Sequence, residues 1–563
     1  MRKPLLAVLL CMALGRVAAA QEFAALQNDA LLRAMQDELS RTTGVLQLGA
    51  FQKPYFAAYT VWEGTTSYVS ASFGAVISEN MGRQYRRARA EVYVGNYGFD
   101  NSRFNYQRPE TANVPVEAGY EGLRFVLWSM SDGAYKNALE AYSRKAAFRR
   151  MKTLDDIPPS RAEVKTQKTY APQEQAMPAD ADLREAARSA SAVFKKYPQV
   201  QDSEAVVWYA SESQRYLNSE GSEYLVMDSL GQVALRAQGQ ARDGFPIRAG
   251  KDIYFLGVSS MPVAAQLERE AEKLGQKMAE LYDSGTLEAY IGPVLLEEGA
   301  AGDFLYNLFV VNVSNPSEEW LENGVDERAG QLAQKLGLRV LPAFIDVYDD
   351  PSPRYWNGQP LIGAYKVDDE GVTPQRLELV RRGKLMNVYM GRSPIKERGA
   401  SNGHGRAGFR DFPSGQAGNV FVTARRESGC VLPSSKLKQR LIRMCRELEL
   451  EYGIVIRSFD AFSRESAGYE ARFSAYKVYA SDGHEEPVHG LEIAGLTPSS
   501  LRGIEAVSAE SGVYSYTDPL PVSIVSPALL FGDLEVKKTM VKPDRLPYLE
   551  NQYFGQKAGE KKQ

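Results

Sequence analysis

Apolar positions first recur at helical spacing over residues 29–41, where Leu31, Leu32, Met35 and Leu39 share one face of an amphipathic helix. The texture then changes to short β-branched and aromatic runs at 55–62, 68–77 and 89–94. Glu63-Gly64 and Asn80 to Gly82 punctuate these runs, predicting strands joined by turns. Helical spacing returns near 135–152, 183–196 and 262–282, with strands expected at 205–210 and 224–227 about a Ser219-Glu220-Gly221 turn. Residues 154–182 carry Pro158, Pro159, Pro172 and Pro178 among charges and read as a surface linker or long loop.

From Tyr290 onward short strands dominate, at 338–346, 376–380, 385–390, 453–457, 473–479 and 521–526. One amphipathic helix, 434–450, interrupts them with Leu437, Leu441, Cys445 and Leu448 on a face. The expected class is α+β: an N-terminal mixed α/β region over 21–289, then a β-rich, barrel-like C-terminal domain over 290–550. The polar stretch 551–563 reads as a disordered tail.

The start of the chain has its own pattern. Arg2-Lys3 precedes an apolar stretch from Leu5 to Leu14, and Ala18-x-Ala20 follows as a small-residue cleavage signal. Residues 1–20 are therefore expected to be a signal peptide, and the mature protein periplasmic or secreted, with no transmembrane segment. Cleavage would remove three basic residues and make the full chain's net charge of −3 more negative by three. An acidic chain without a basic stripe gives no footprint for nucleic acid. The cluster Arg83, Arg86, Arg87 and Arg89 reads as one solvated strand edge.

Candidate chemistry is limited by three His and three Cys in 563 residues. His484 to His489 spells H-E-x-x-x-H, but Pro487 would break the helix a zinc site needs, and the flanks read as a hairpin with two exposed His. Gly403 to Gly408 spells G-x-G-x-x-G and Gly399 to Gly403 spells G-x-S-x-G. Both lack the following helix, because Pro413, Gly415 and Gly418 come next. Once Cys11 leaves with the signal peptide, Cys430 and Cys445 remain. Export permits a bridge between them, and a buried thiol at Cys445 is the plainer reading.

Several stretches together resemble the TldD/PmbA family. They are Gly292-Pro293-Val294-Leu295, Ile345 to Asp350, Asp368-Asp369-Glu370-Gly371-Val372-Thr373-Pro374-Gln375, Arg382-Gly383-Lys384-Leu385, Ser401 to Arg406, Pro487-Val488-His489-Gly490, Leu520-Pro521-Val522 and Leu534-Glu535-Val536. The N-terminal half resembles the family only loosely. The resemblance implies a metallopeptidase relative in which catalytic members bind zinc through an H-E-x-x-x-H helix and a later Cys. Such members work beside a related subunit without those ligands and enclose a chamber for unfolded peptides.

Carried onto this chain, the two His positions fall on Tyr306 and Val311, the Glu position on Asn307 and the Cys position on Val513. Val has no donor atom and Asn cannot act as a general base, so no catalytic or metal-binding residues and no cofactor are expected here. Zinc would belong to a catalytic relative. Ala300, Ala301, Phe304, Leu305, Leu308 and Phe309 read instead as a packed helix face. Asp368, Glu370, Gly371, His404, Gly405 and Arg406 are candidates for substrate binding, or else are structural loop residues. The resemblance implies a PmbA/TldE-like, non-catalytic partner of a TldD-type subunit, or a self-associating dimer, acting on unfolded peptides. A metallopeptidase with a different metal site and an envelope binding or scaffold protein are the alternatives.

Overall fold

The computed structural model describes residues 29–152, 157–171, 176–326, 331–426, 429–465 and 468–542. Both the signal peptide and the tail expected above lie outside them. Helix α1 (Ala30–Gly44) opens on Asp29, whose carboxylate accepts from the amides of Leu31 and Leu32 at 2.9 and 3.0 Å. Strands β1 (Phe56–Ser72) and β2 (Ala75–Tyr93) follow, and both are longer than the sequence pattern suggests.

The hairpin turn is at Phe73-Gly74, where both residues have positive φ (44° and 79°), the conformation that matches strand twist in a two-residue turn. Glu63-Gly64, expected to be a turn, runs straight through β1 opposite Arg86 and Tyr85. Glycine is required there by close packing, since a Cβ would lie 2.6 Å from the Ser211 carbonyl. The expected turn at Asn80 to Gly82 is an irregularity within β2, with Gly82 at φ 61° beside a register slip at Thr66/Tyr68.

Seven strands form the N-terminal sheet. With β3 (Glu110–Asn113), β4 (Lys168–Ala171), β5 (Asp202–Asn218), β6 (Glu223–Gln240) and β7 (Pro246–Phe255), the order is β3-β2-β1-β5-β6-β4, and β7 pairs with β6. Residues 157–171 are thus no surface linker. They supply β4 and the buried Arg161. Helices α2 (Tyr120–Lys152), α3 (Asp180–Ala192) and α4 (Ala264–Tyr282) join α1 against the sheet. Odd positions of β1 meet the helices: Ala57, Tyr59 and Val61 pack with α1 and α2, and Val69 and Ala71 with α3 and α4. Even positions Phe56 and Ala58 face the C-terminal half and pack with Val367. Over Phe56 to Trp62 the sheet is covered on both faces, so β1 shows no alternation there, whereas β5 alternates buried and half-buried positions over most of its length.

The C-terminal domain is a 12-stranded sheet assembly. Its main elements are β8 (Ala289–Leu296), α5 (Glu298–Leu305), β9 (Ile345–Asp349), β10 (Leu377–Arg381), β11 (Asn419–Ala424), α6 (Ser434–Glu447), β12 (Tyr452–Ile456), β13 (Phe459–Glu465), β14 (Gly468–Tyr479), β15 (Glu485–Leu496), β16 (Ile504–Tyr516) and β17 (Val522–Lys538). Strand β8 pairs with both β12 and β17, so β8-β12-β14-β15-β17 closes a ring of pairings. Ala300, Ala301, Phe304, Leu305, Leu308 and Phe309 are all buried in the main core, as the sequence pattern predicts. The strand expected at 338–346 forms only from Ile345, and Leu338 is exposed. In α6, Leu437, Leu441 and Cys445 are buried but Leu448 lies past the helix end and is exposed. Cys445 is a buried thiol and is not bridged to the half-buried Cys430. Among the described residues, no helix is long and apolar enough to cross a membrane.

Candidate functional site

Two places in the molecule gather the residues singled out by sequence. The first is a buried polar joint between the N-terminal sheet and two C-terminal loops. Asp368 Oδ1 accepts from the amides of Glu370 and Val372 at 3.0 and 2.8 Å, and its Oδ2 accepts from the Gly405 amide at 2.9 Å. Gly405 touches both carboxylates so closely that a Cβ would overlap the Glu370 carboxylate. Gly371 takes a positive φ of 79° to close its turn.

Glu370 accepts from the backbone amide of Arg392 at 2.5 Å and pairs with Arg161 at 3.4 Å. Arg392, fully buried, grips both oxygens of Glu220 at 2.7 Å. Arg406 donates to the carbonyls of Ala417 and Pro521 and lies over the Tyr365 ring. His404 is buried, with Nε2 3.4 Å from Asp349 and Nδ1 against Asn402. Burial and the neighbouring Glu370 hold the Asp368 carboxyl well above the ordinary range.

The structure corrects the reading of the arginine cluster as a solvated edge for Arg86 and Arg89, whereas Arg83 is exposed as that reading expects. Along β2 the even positions Ala88 and Ala90 meet the helices, whereas Arg89 faces the C-terminal loops. Arg89 is fully buried and donates to the carbonyls of Gly408 and Asp411 while pairing with Glu91 at 3.2 Å. Arg86 is also buried and holds Glu63. Of the six loop candidates, Asp368, Glu370, His404, Gly405 and Arg406 are buried with their polar groups engaged by protein atoms. Gly371 is buried at the turn beside Tyr216 and Ser222.

The H-E-x-x-x-H hairpin is found as a hairpin, β14 to β15, but its two His differ. His484 is exposed. His489 is buried, with Ser284 Oγ 2.8 Å from Nδ1 and Asp243 Oδ2 3.2 Å from Nε2, which corrects the expectation that both are exposed. The two point to opposite surroundings, as five residues of strand separation require.

The second place is a cavity of about 1080 Å³ lined from both domains. On one side lies β7, from Arg248 to Phe255, paired only with β6 among the described residues. On the other lie Gly299 and Asp303 of α5, Val513 to Ser515 of β16, and Ser458 to Asp460 at the start of β13. Helix α5 passes at Tyr306 into a wider turn, Tyr306–Val310, in which bonds skip an extra residue; such insertions often mark functional sites.

Of the positions that the resemblance assigns to metal chemistry, Val513 lines this cavity, and Tyr306, Asn307 and Val311 follow Asp303 on the continuation of α5. Asn307 donates to Asp303 Oδ1 at 2.8 Å, and the Tyr306 ring stacks on Tyr516 with centroids 4.1 Å apart. Gly302 lets Tyr514 close on the helix, where a Cβ would overlap its side chain. Val311 stands partly exposed and Val513 lines the cavity.

Tyr514, Tyr516 and Asn307 hydrogen-bond to Asp303, and burial, the dominant effect, raises its pKa to about 7. Burial likewise lifts Tyr306 to about 12 and Tyr514 far above its usual value. No His or Cys is among the described residues lining the cavity. Nor do three or more His, Cys, Asp or Glu of the described residues gather anywhere into a group that could hold a metal ion. Tyr, Asn and two Val do not fit a zinc site. What the arrangement offers instead is a roomy, charged chamber with a neutral-poised carboxyl on one wall and an open strand edge on another.

Residues 289–538 match the family model described as PmbA/TldA metallopeptidase C-terminal domain. The C-terminal domain of the chain belongs to the TldD/PmbA family. Solved structures extend the likeness in fold across both halves of the chain. TldE from Thermococcus kodakarensis aligns with a TM-score of 0.59 at 14% identity, over 89% of this chain and 99% of its own. A protein described as a modulator of a DNA gyrase from Thermotoga maritima gives 0.58 at 14%, over 85% and 96%. Another so described, from Bacteroides thetaiotaomicron, gives 0.58 at 11%, over 91% and 99%. A comparison with the curated proteins finds no match. The family model ends at 538, within β17, so it spans the ring of pairings, the metal-position helix and both buried loops.

Sequence reasoning did not single out Asp303, Tyr514, Tyr516, Arg161 or Arg392. A signal existed for the first: Asp303 is the one charged residue in the otherwise apolar and small segment Gly299 to Leu305. The tyrosines and arginines lie far apart in sequence, and no local pattern links them.

Proposed function

We propose that this protein is a non-catalytic subunit that binds unfolded peptides beside a zinc-bearing TldD-type relative. The observation that carries the reading is the filling of the metal-helix positions by Tyr306, Asn307 and Val311, just past the Gly299 and Asp303 of α5 that line a cavity of about 1080 Å³. The cavity has the size of a binding chamber while its wall lacks a ligand set for zinc.

Strand β7 supports the peptide part. Its outer edge carries backbone donors and acceptors that no described strand pairs, and it faces the cavity along eight residues, Arg248 to Phe255. An extended peptide pairs with such an edge through main-chain hydrogen bonds, without demanding a particular sequence. The signal-like pattern of residues 1–20 supports action outside the cytoplasm, in the periplasm or medium.

Co-expression with an exported TldD-type relative that keeps an intact H-E-x-x-x-H tests the partnership. Affinity purification of this chain is expected to recover the relative in equimolar amount, with zinc only in the relative. Recovery of this chain alone, or as a zinc-loaded homodimer, would overturn the reading.

A further inference from the structure

Three of the six basic side chains that line the large cavity already hold an acid. Arg236 grips Asp252 at 2.7 and 2.8 Å, Lys273 reaches Glu270 at 2.7 Å, and Arg457 reaches Glu485 at 2.7 Å. Arg248 and Lys277 are matched less well. Arg248 projects from the open strand β7, is exposed to the cavity, and donates no hydrogen bond to a described residue. Lys277, from α4, makes one bond, 3.1 Å to Ser458 Oγ.

Both act electrostatically on the same carboxylate, Asp460, which also lines the cavity, and Glu280 acts on Lys277 as well. Among the described residues neither cation forms an ion pair with a carboxylate, so most of the guanidinium and ammonium donors are unspent. Desolvation has already been imposed on Lys277, whose burial pulls its pKa below the usual lysine value. An incoming anion meets a preformed, partly dehydrated cationic corner, where charge-assisted hydrogen bonds are strongest.

We propose that Arg248 and Lys277 bind a ligand carboxylate, so that the cavity prefers peptides carrying a free C-terminus or an acidic side chain. This rests on the peptide-binding reading above and adds the chemical class it selects. Lys251, on the same strand and without an ion pair among the described residues, strengthens the local field. Strand β7 supplies sequence-independent pairing, and the cationic corner fixes which end or side chain the bound strand presents to it.

The test uses the full chain and one short, uncharged, unstructured Ser/Val-rich peptide with a fluorescent N-terminus. The peptide is made in three forms: C-terminal acid, C-terminal amide, and amide with one internal Glu. Fluorescence anisotropy is expected to show an acid-bearing form binding roughly tenfold tighter than the plain amide. A preference confined to the C-terminal acid, or shared by the Glu peptide, assigns the source of the carboxylate. Arg248→Gln, at an exposed strand position, and Lys277→Met are each expected to shrink the preference, and the pair to abolish it. Arg248→Glu is expected to weaken the acid forms below the amide.

Equal affinity for all three forms, or a preference that survives the double variant, overturns the carboxylate proposal while leaving peptide binding intact. Failure of every form to bind overturns both.

Discussion

Asp303→Asn isolates the group that stands where the family keeps its metal helix. Asn has the shape of a protonated Asp and can hold the same bonds to Tyr514, Tyr516 and Asn307, but it cannot ionise. In the wild type the Asp303 pKa rises from 3.8 to about 7 on folding, chiefly through burial. The folded-state value is the higher one. Its contribution is therefore fully present below the unfolded pKa and is lost as pH rises through the folded pKa.

A rise of about three units at about 1.36 kcal/mol each amounts to about 4 kcal/mol. About 2–3 kcal/mol of that falls between about pH 5 and pH 8. Urea unfolding followed by far-ultraviolet circular dichroism, at about pH 5, 6, 7 and 8, measures it. The variant is expected to match wild type within about 1 kcal/mol at the acid end and to exceed it by about 2–3 kcal/mol at the alkaline end. Parallel pH profiles for the two proteins would refute the claim that Asp303 is buried as a neutral acid.

The polar joint and the hairpin give three more expectations. Arg392→Met leaves the Glu220 carboxylate without the buried guanidinium that grips it and is expected to cost about 3–5 kcal/mol, read by urea unfolding at neutral pH. Gly405→Ala drives a methyl into the Glu370 carboxylate and is expected to cost about 1–3 kcal/mol in the same assay. His489→Ala removes the link between Ser284 and Asp243 and is expected to cost about 1–3 kcal/mol, whereas His484→Ala, at an exposed turn, is expected to stay within about 0.5 kcal/mol of wild type.

Local pattern carried a good part of the fold. The α1 face, the α6 face as far as Cys445, and the packed stripe from Ala300 to Phe309 were legible because helical period and burial coincide there. The long strands were less so. Glu63-Gly64 carries turn residues, but the glycine is there to let β1 approach β5, a fact that lives in the partner strand and leaves no mark in β1 itself. Arg87 and Arg89 of β2 misled for a related reason: they alternate with Ala88 and Ala90, the usual sign of one wet face, yet Arg89 is covered by loops more than 300 residues further along the chain.

At the site, what sequence could show was absence of metal ligands at three helical positions and at Val513. What replaced them was legible only in three dimensions, because Asp303 meets Tyr514 and Tyr516 from more than 200 residues away. The loop candidates show the opposite outcome. Asp368, Glu370, Gly405 and Arg406 do come together, but their donors and acceptors are spent on one another and on neighbouring C-terminal loops, with Glu370 reaching Arg161 of the N-terminal half, and none of them lines the large cavity. Ligand-facing chemistry resides instead in Arg248, Lys277 and Asp460, which no motif links.

The central claim, a peptide-binding chain without its own peptidase chemistry, is tested most directly by incubating the zinc-supplemented full-length protein with an unstructured peptide. Binding is followed by anisotropy and peptide mass by mass spectrometry over the same period. Saturable binding of a peptide that stays intact, with no zinc retained after dialysis, is the result predicted. Zinc-dependent cleavage by the isolated chain, abolished by His404→Ala or His489→Ala, would contradict it.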